Sequence, residues 1–184
     1  MEKEYKLTLK KIIKHFYIIT KHRFIVFILS IKAGIPIQGL LHDLSKYSPV
    51  EFFETARFYS DGKKSPILLC REINGYSKAW LHHKGRNKHH YEYWYDYAID
   101  NKPVMPFKYY VEFIIDTISA SMTYHNKYNI DEQISYWDRI KKTAILDKKM
   151  EQLITYTYKM IKQDGLSKIL NKKKLREFYN KYIN

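Results

Sequence analysis

Apolar residues recur at three- and four-residue intervals along most of this chain, the spacing of one face of an α-helix. Over residues 5–33 the positions Leu9, Ile12, Ile13, Phe16, Ile19, Ile25, Val26 and Leu29 keep that spacing, and Gly34 and Pro36 end the run. A short helical turn is expected over Gly39–Ser45. Ser48-Pro49-Val50-Glu51 then reads as a helix start, with Ser as cap, Pro in the first position and Glu in the third. That helix carries Phe52, Phe53, Ala56 and Tyr59 and stops at Asp61-Gly62. Residues 67–84 read as helical in part, with a break near Asn74-Gly75. Gly85 marks another break, before a helix expected over 87–100. Pro106 opens a further helix through about Tyr124, and helices over 131–144, 147–163 and 167–181 complete the chain, with Gly165 at a junction. Seven or more helices and no convincing strand pair predict an all-α bundle.

The 184 residues suit one domain with a real core, in which 131–184 form C-terminal accessory helices. A hydrophobic content of 45% argues against disorder, and six Gly with five Pro disfavour a many-turned β fold. The single Cys70 cannot form an internal disulfide and suits a reducing cytoplasm. No secretory signal is expected, because no small-residue cleavage site follows an apolar run. The apolar stretch Phe24–Leu29 is too short to span a bilayer and reads as core. The formal net charge of +14 fits attraction to nucleotides, nucleic acid or an anionic membrane, and equally a Lys-rich composition. Late runs such as Lys172-Lys173-Lys174 read as solvated helix faces.

The histidines change the picture. Seven of the eight fall in the first half, including His42-Asp43 within Leu41–Lys46 and the cluster His82-His83-Lys84-Gly85-Arg86-Asn87-Lys88-His89-His90. Neutral imidazoles and carboxylates hold Zn, Fe, Mn or Ni. Adjacent residues on a helix point about 100° apart, so His42 and Asp43 reach one metal only near a helix end, or across two metals bridged by the carboxylate. Lys46, three residues on, can face the same cavity and hold an anionic substrate or a developing charge, the alternative being a surface charge. His22 is preferred over His15 as a further ligand, with His15 read as a core histidine. His83 and His90 are seven apart, as are His82 and His89, so each pair shares a face if the segment stays helical. Asn87 is placed to orient a ligand imidazole or cap the next helix, while Lys84 and Arg86 make the pocket mouth positive, as a phosphate requires. Asp116 lies among Ile114, Ile115 and Ile118, where a carboxylate needs a partner or a metal. Glu112, one turn earlier, is a candidate ligand, water holder or base. His125 reads as a capping or surface histidine. The aromatic stretch Tyr91, Tyr93, Trp94, Tyr95 and Tyr97 reads as packing, and Cys70 is not read as a nucleophile.

The order His22, His42-Asp43, His83/His90, Asp116 resembles the HD superfamily of metal-dependent phosphohydrolases, all-helical bundles named for their His-Asp pair. The resemblance implies an HD-like fold in which His22, His42, Asp43 and Asp116 hold one metal. Two-metal members add histidines between the His-Asp pair and the last Asp, and often carry a Lys where Lys46 stands. The seven-residue spacing of His83 and His90 is tighter than in those members, so the choice among His82, His83, His89 and His90 stays open. The segments His22-Arg23, Ala33–Pro36, Gly39–Ser48, Ala79–Trp94 and Met105-Pro106 also look like an uncharacterised family of bacterial and phage proteins, which brings no established activity.

The leading expectation is therefore a metal-dependent phosphohydrolase acting on a nucleotide or small phosphate ester through a metal-activated water. One or two divalent ions (Fe, Mn, Ni or Zn) would be held by His22, His42, Asp43, Asp116, His83 and His90. Asp43, Lys46 and Glu112 would serve catalysis, and Lys46, Lys84 and Arg86 would bind phosphate. A di-iron oxygenase on the same scaffold uses the same ligands. A basic protein that binds nucleic acid or another protein, with a structural metal, is the third possibility; nucleic acid is not the favoured partner.

Overall fold

The computed structural model describes residues 5–183 apart from 63, 97, 99–101, 103 and 126, together with the side chains of all of these but residue 125. Its described residues form ten α-helices and two 3-10 turns, with no strand. The all-α expectation holds.

The first helix, α1 (Leu9–Lys32), starts at the first position of its apolar pattern, inside the expected 5–33 span, because Thr8 caps it, its hydroxyl accepting from the Lys11 N–H at 3.3 Å. Gly34, at φ 75°, turns the chain out of α1, and Pro36 opens α2 (Pro36–Leu41). The expected turn over Gly39–Ser45 is split. α2 ends before His42, and a 3-10 turn (Leu44–Tyr47) follows Asp43, whose φ is 52°. Ser48 then caps α3 (Pro49–Arg57) through the Glu51 N–H, as its sequence predicts. α4 (Pro66–Asn74) ends on Gly75 at φ 77°, and α5 (Lys78–Lys84) is capped by Ser77.

The helix expected over 87–100 does not form among the described residues. The described part of that stretch holds a single 3-10 turn, Tyr91–Tyr93. Polar contacts outweigh the helical pattern there: the Asn87 amide donates to Ser45 Oγ and the His83 carbonyl, and Trp94 Nε1 donates to the Lys88 carbonyl. Tyr91 and Trp94 pack on the core as expected, Tyr93 and Tyr95 stay partly exposed, and Tyr97 lies outside the described residues.

α6 (Phe107–His125) is the central helix. Its Tyr110, Val111, Ile114, Ile115 and Ile118 have no exposed surface and form one broad apolar face, while Glu112 and Asp116 lie on another side of the same helix. α1 packs along one side of it. α7 (Ile130–Ile140) and α8 (Lys148–Asp164) supply Trp137, Met150, Leu153 and Ile154 to the same core. The last expected helix is two: α9 (Leu166–Ile169) and α10 (Lys172–Ile183), because Asn171 leaves the helix to cap α10 through the Lys174 N–H. Leu175 and Phe178 of α10 join the core too, so the segment after 131 and the helices before it share one hydrophobic interior.

One close approach fixes how α2 lies on α1. A Cβ at Gly39 would fall 2.3 Å from Ser30 Cβ and 3.3 Å from the Phe27 Cα. Ser30 is fully buried and cannot yield. Gly39→Ala is therefore expected to lose about 1–3 kcal/mol of stability in urea unfolding, the usual range for overpacking. Ser30→Gly added to Gly39→Ala should recover part of that loss, which additive single effects would not do.

Candidate metal centre

His42 and Asp43 occupy the gap between α2 and the 3-10 turn, where the chain has no helical period to keep. The left-handed backbone at Asp43, which Asp tolerates better than most residues, swings its carboxylate to the same side as the His42 ring. Arg23, on α1, holds the break by donating to the His42 and Leu40 carbonyls at 2.7 and 2.8 Å.

Two sets of ligand atoms meet at Asp43. On one side stand His22 from α1, His42, and Asp116 from α6. His42 Nε2 is 3.1 Å from Asp43 Oδ2 and 3.4 Å from both His22 Nε2 and Asp116 Oδ1, and His22 Nε2 is 2.9 Å from Asp116 Oδ1. On the other side stand His83 from α5 and His89 and His90 from the turn beyond it. Their Asp43 atom is Oδ1, 3.4 Å from His83 Nε2 and 3.5 Å from His89 Nε2. An ion bonded at about 2.0–2.2 Å to each donor places neighbouring donors about 3.0–3.5 Å apart. These pairs run from 2.9 to 3.5 Å, and all the donor atoms of each set lie within 4.8 Å of one another.

The buried atoms make the same point. Asp43 Oδ1, His89 Nε2 and His90 Nε2 are buried without a hydrogen-bond partner. Each such group left unsatisfied costs about 1–3 kcal/mol, and all three belong to the second ligand set. A cation satisfies them together. The residues fit a metal ion in each set: two imidazoles and two carboxylates in the first, three imidazoles and a shared carboxylate in the second. Donors of N and O without sulfur suit Zn, Fe, Mn or Ni.

A second layer of carboxylates orients the rings. Glu112 Oε1 lies 2.8 Å from His42 Nδ1 and 3.0 Å from His89 Nδ1, and its Oε2 accepts from Gln38. Glu112 on Nδ1 leaves Nε2 of both rings turned toward the cluster, where a bound ion would take its lone pair. Glu51 does the same for His83, its Oε2 lying 2.8 Å from Nδ1. Burial penalises the charged His42 ring, but the surrounding Asp43, Asp116 and Glu112 raise its pKa well above the ordinary value.

The charges follow from this crowding. Burial penalises the Asp43 carboxylate, but His42 and Lys46 hold its pKa well below the usual range. Asp116 is likewise penalised by burial and still held far down by hydrogen bonds from His22 and His42. Burial, reinforced by His89 and His83, pushes His90 well below the ordinary imidazole value and keeps it neutral. Burial also lowers His22, against the pull of Asp116. Lys46 Nζ sits 2.6 Å from Asp43 Oδ2, and Asp43 with Asp116 raises its pKa despite burial.

Most expected site residues thus converge. His22, His42, Asp43 and Asp116 stand together, His83 and His90 face them across Asp43, and Lys46 touches the shared carboxylate. His89, expected only as an alternative, stands among the ring nitrogens of the second set. His82 does not: its Nδ1 also meets Glu51, at 2.6 Å from Oε1, but its ring belongs to neither ligand set. The reason is the missing helix: after Gly85 the chain turns back, so His89 and His90 approach His83 through a turn. Glu112 has both oxygens engaged by Gln38 and two rings, the position of an orienting carboxylate, whereas a base needs a free oxygen. Asn87 does reach His83, with its amide 3.0 Å from Nδ1, but caps no following helix. Lys84 and Arg86 form no hydrogen bond or ion pair with the cluster. Lys84 lies near Glu92, whose pKa burial raises against the pull of Lys84, and Arg86 is exposed. His15 is buried against Thr55 Oγ1 at 2.8 Å, outside both sets. The side chain of His125 lies outside the description. Sequence reasoning missed Glu51, which looks like an ordinary first-turn residue of α3. Its acid beside a Ser-Pro cap gives no hint of a partner more than thirty residues away.

The cluster has an approach. Asp116, the most exposed of its carboxylates at 18%, lines a cavity of about 350 Å3 between α6 and α7. Arg139, Glu132, Tyr124, Tyr136, Gln133 and Ser121 line it with Asp116. A larger cleft near Tyr5, Phe53 and Ile73 lies elsewhere and contains none of the ligand residues.

An all-α protein with a buried His/carboxylate cluster suited to metal ions is the class that this fold and site define. The model of a family of unknown function (DUF5662) matches residues 11–160, and the chain belongs to that family. No curated protein and no solved structure matches the chain.

Purified protein is expected to carry one or two transition-metal ions per chain by elemental analysis. Asp43→Ala should abolish metal binding, since both sets share that residue, while the variant stays folded by circular dichroism. Glu112→Gln should keep the fold and weaken metal affinity about 10- to 100-fold in competition with a chelator, as loss of an orienting carboxylate does.

Proposed function

We propose that the protein is a metal-dependent phosphohydrolase acting on a small phosphate ester. The observation that carries this reading is the Asp43 carboxylate, whose two oxygens each face a separate buried ligand set. A divalent ion bound there supplies Lewis acidity, drawing charge from a phosphoryl oxygen and lowering the pKa of water toward neutrality. The order of His22, His42-Asp43 and Asp116, through which the chain resembles the HD superfamily, supports the same chemistry.

The chain's own groups have separable roles in this reading. His42, Asp43, His83 and His89 are almost wholly buried, so they exclude bulk water and stay fixed. Asp116 is the member that meets the cavity. Lys46 reaches from the shared carboxylate to the outside, its side chain 29% exposed against 1% for Asp43. Its ammonium is placed to hold a phosphoryl oxygen and to stabilise negative charge that grows there. Arg139, on the cavity wall, is placed to bind a second anionic or polar group of the substrate. The cavity size sits at the low end for ligand pockets and suits a small molecule better than a polymer.

The test is phosphate release from p-nitrophenyl phosphate and from nucleoside monophosphates by metal-loaded protein, run with and without oxygen. Turnover in both conditions is expected. Lys46→Met should lower kcat/KM about 100-fold or more while metal content is retained. Turnover only with oxygen would replace this reading by an oxygenase, for which carboxylate-bridged, His-rich ligand sets are equally suited. A loaded protein silent toward every ester would leave the metal a structural part.

A further inference from the structure

α1 is apolar on two faces. Its inner face carries His15, Ile19, His22, Val26 and Leu29 into the core. Its outer face carries Leu9, Ile13, Phe16, Phe24 and Ile31, each at least half exposed. These repeat at helical spacing over a helix about 36 Å long. α2 lies against α1 at Phe27 and Ser30, and its Ile37, Leu40 and Leu41 are more than half exposed. Isolated surface apolar residues need no explanation, but a continuous band of this length marks a surface that something covers.

The charge around the band names the partner. Residues 5–50 contain a single acid, Asp43, and it is buried in the metal cluster. The same stretch contains eight Lys or Arg. Lys10 and Lys32 are exposed along the band. Where another element does bring in an acid, Asp61, it pairs with Lys14 at 2.6 Å. Beside Phe24 and Ile28 runs a groove of about 440 Å3 whose edge holds Lys21, Lys32 and Lys127 and whose lining includes no acid. An apolar floor between lysines complements an amphiphile with an anionic head. A second copy of this chain would set like charges against each other along the same band. No helix among the described residues is long and apolar enough to cross a membrane, so the contact is one of lying on a surface.

We propose that the outer face of α1 and α2 docks in the plane of an anionic lipid bilayer, with its apolar side chains at the level of the acyl boundary and its lysines at the headgroup phosphates. A helix with this distribution binds through both terms at once, and each cation near the surface adds to the attraction. The face is turned away from the metal cluster, so the inference stands apart from the proposed activity.

The experiment is co-sedimentation of the full, metal-loaded chain with phosphatidylcholine vesicles, with and without one third phosphatidylglycerol, at about 0.1 M and 0.5 M salt. Binding to the anionic vesicles at low salt is expected, about tenfold or more weaker on neutral vesicles and at high salt. Phe24→Glu with Ile31→Glu should remove it, leaving thermal unfolding and metal content unchanged because both side chains are exposed. Equal binding to both vesicle types, binding that survives the double variant, or no binding at all would overturn the proposal. So would a dimer in light scattering that the double variant dissociates in the absence of lipid.

Discussion

A carboxylate almost wholly withdrawn from water at Asp43 has to be paid back by its neighbours, and much of the arrangement around it follows from that requirement. Lys46 and His42 compensate one oxygen from within the same short segment. The other oxygen faces His83 and His89, which come from chain forty residues later, and finds no hydrogen bond there. An isolated buried charge costs far more than the fold can spare. The surrounding elements therefore have to converge on this point with donors, and the spacing of those donors matches what a metal ion needs. The left-handed backbone at Asp43 belongs to the same logic: it is a local conformational cost that lets both members of the His-Asp pair face one centre.

The carboxylates behind the rings carry this order outward into the bundle. Glu112 ties His42 to His89 and so joins the α2 break to the turn after α5. Glu51 ties α3 to α5 through His83. Both act on Nδ1 and leave Nε2 toward the centre, so the ligand rings are oriented by acids of α3 and α6 that stand behind the two ligand sets. Removing one of these acids would leave the helices in place and loosen the rings, which separates orientation from folding.

α1 shows how one element serves two surroundings. Its inner face supplies His22 to the cluster and Val26 and Leu29 to the core, and the close contact of Gly39 with Ser30 sets α2 beside it. Its outer face is apolar too and is bordered mainly by cations. A helix with both faces apolar is normally enclosed on all sides. Here the protein encloses one side, and the lipid-docking proposal supplies the other.

The residues themselves determined the helical class, most helix starts and stops, and the identity of the chemistry-bearing groups. Periodicity, Ser and Pro caps and glycine stops are local, and local interactions suffice to specify them. Asp116 could be picked out because an acid in an isoleucine run is anomalous, whereas a His-Asp pair arises often by chance, and His22, His42 and Asp43 stood out through their grouping with the other histidines and their order along the chain. Three things were decided only in the folded chain. The stretch after Gly85 turns back where its pattern predicts a helix, because polar contacts to Ser45 and His83 outweigh the helical spacing, and this exchanges His82 for His89 in the cluster. Glu51 becomes an orienting acid because α5 happens to pack on α3. Lys84 and Arg86 lie away from the centre, while Arg139, unremarkable in sequence, faces its cavity. In each case the decisive neighbour is distant along the chain, and a linear pattern carries no information about which distant residue will arrive.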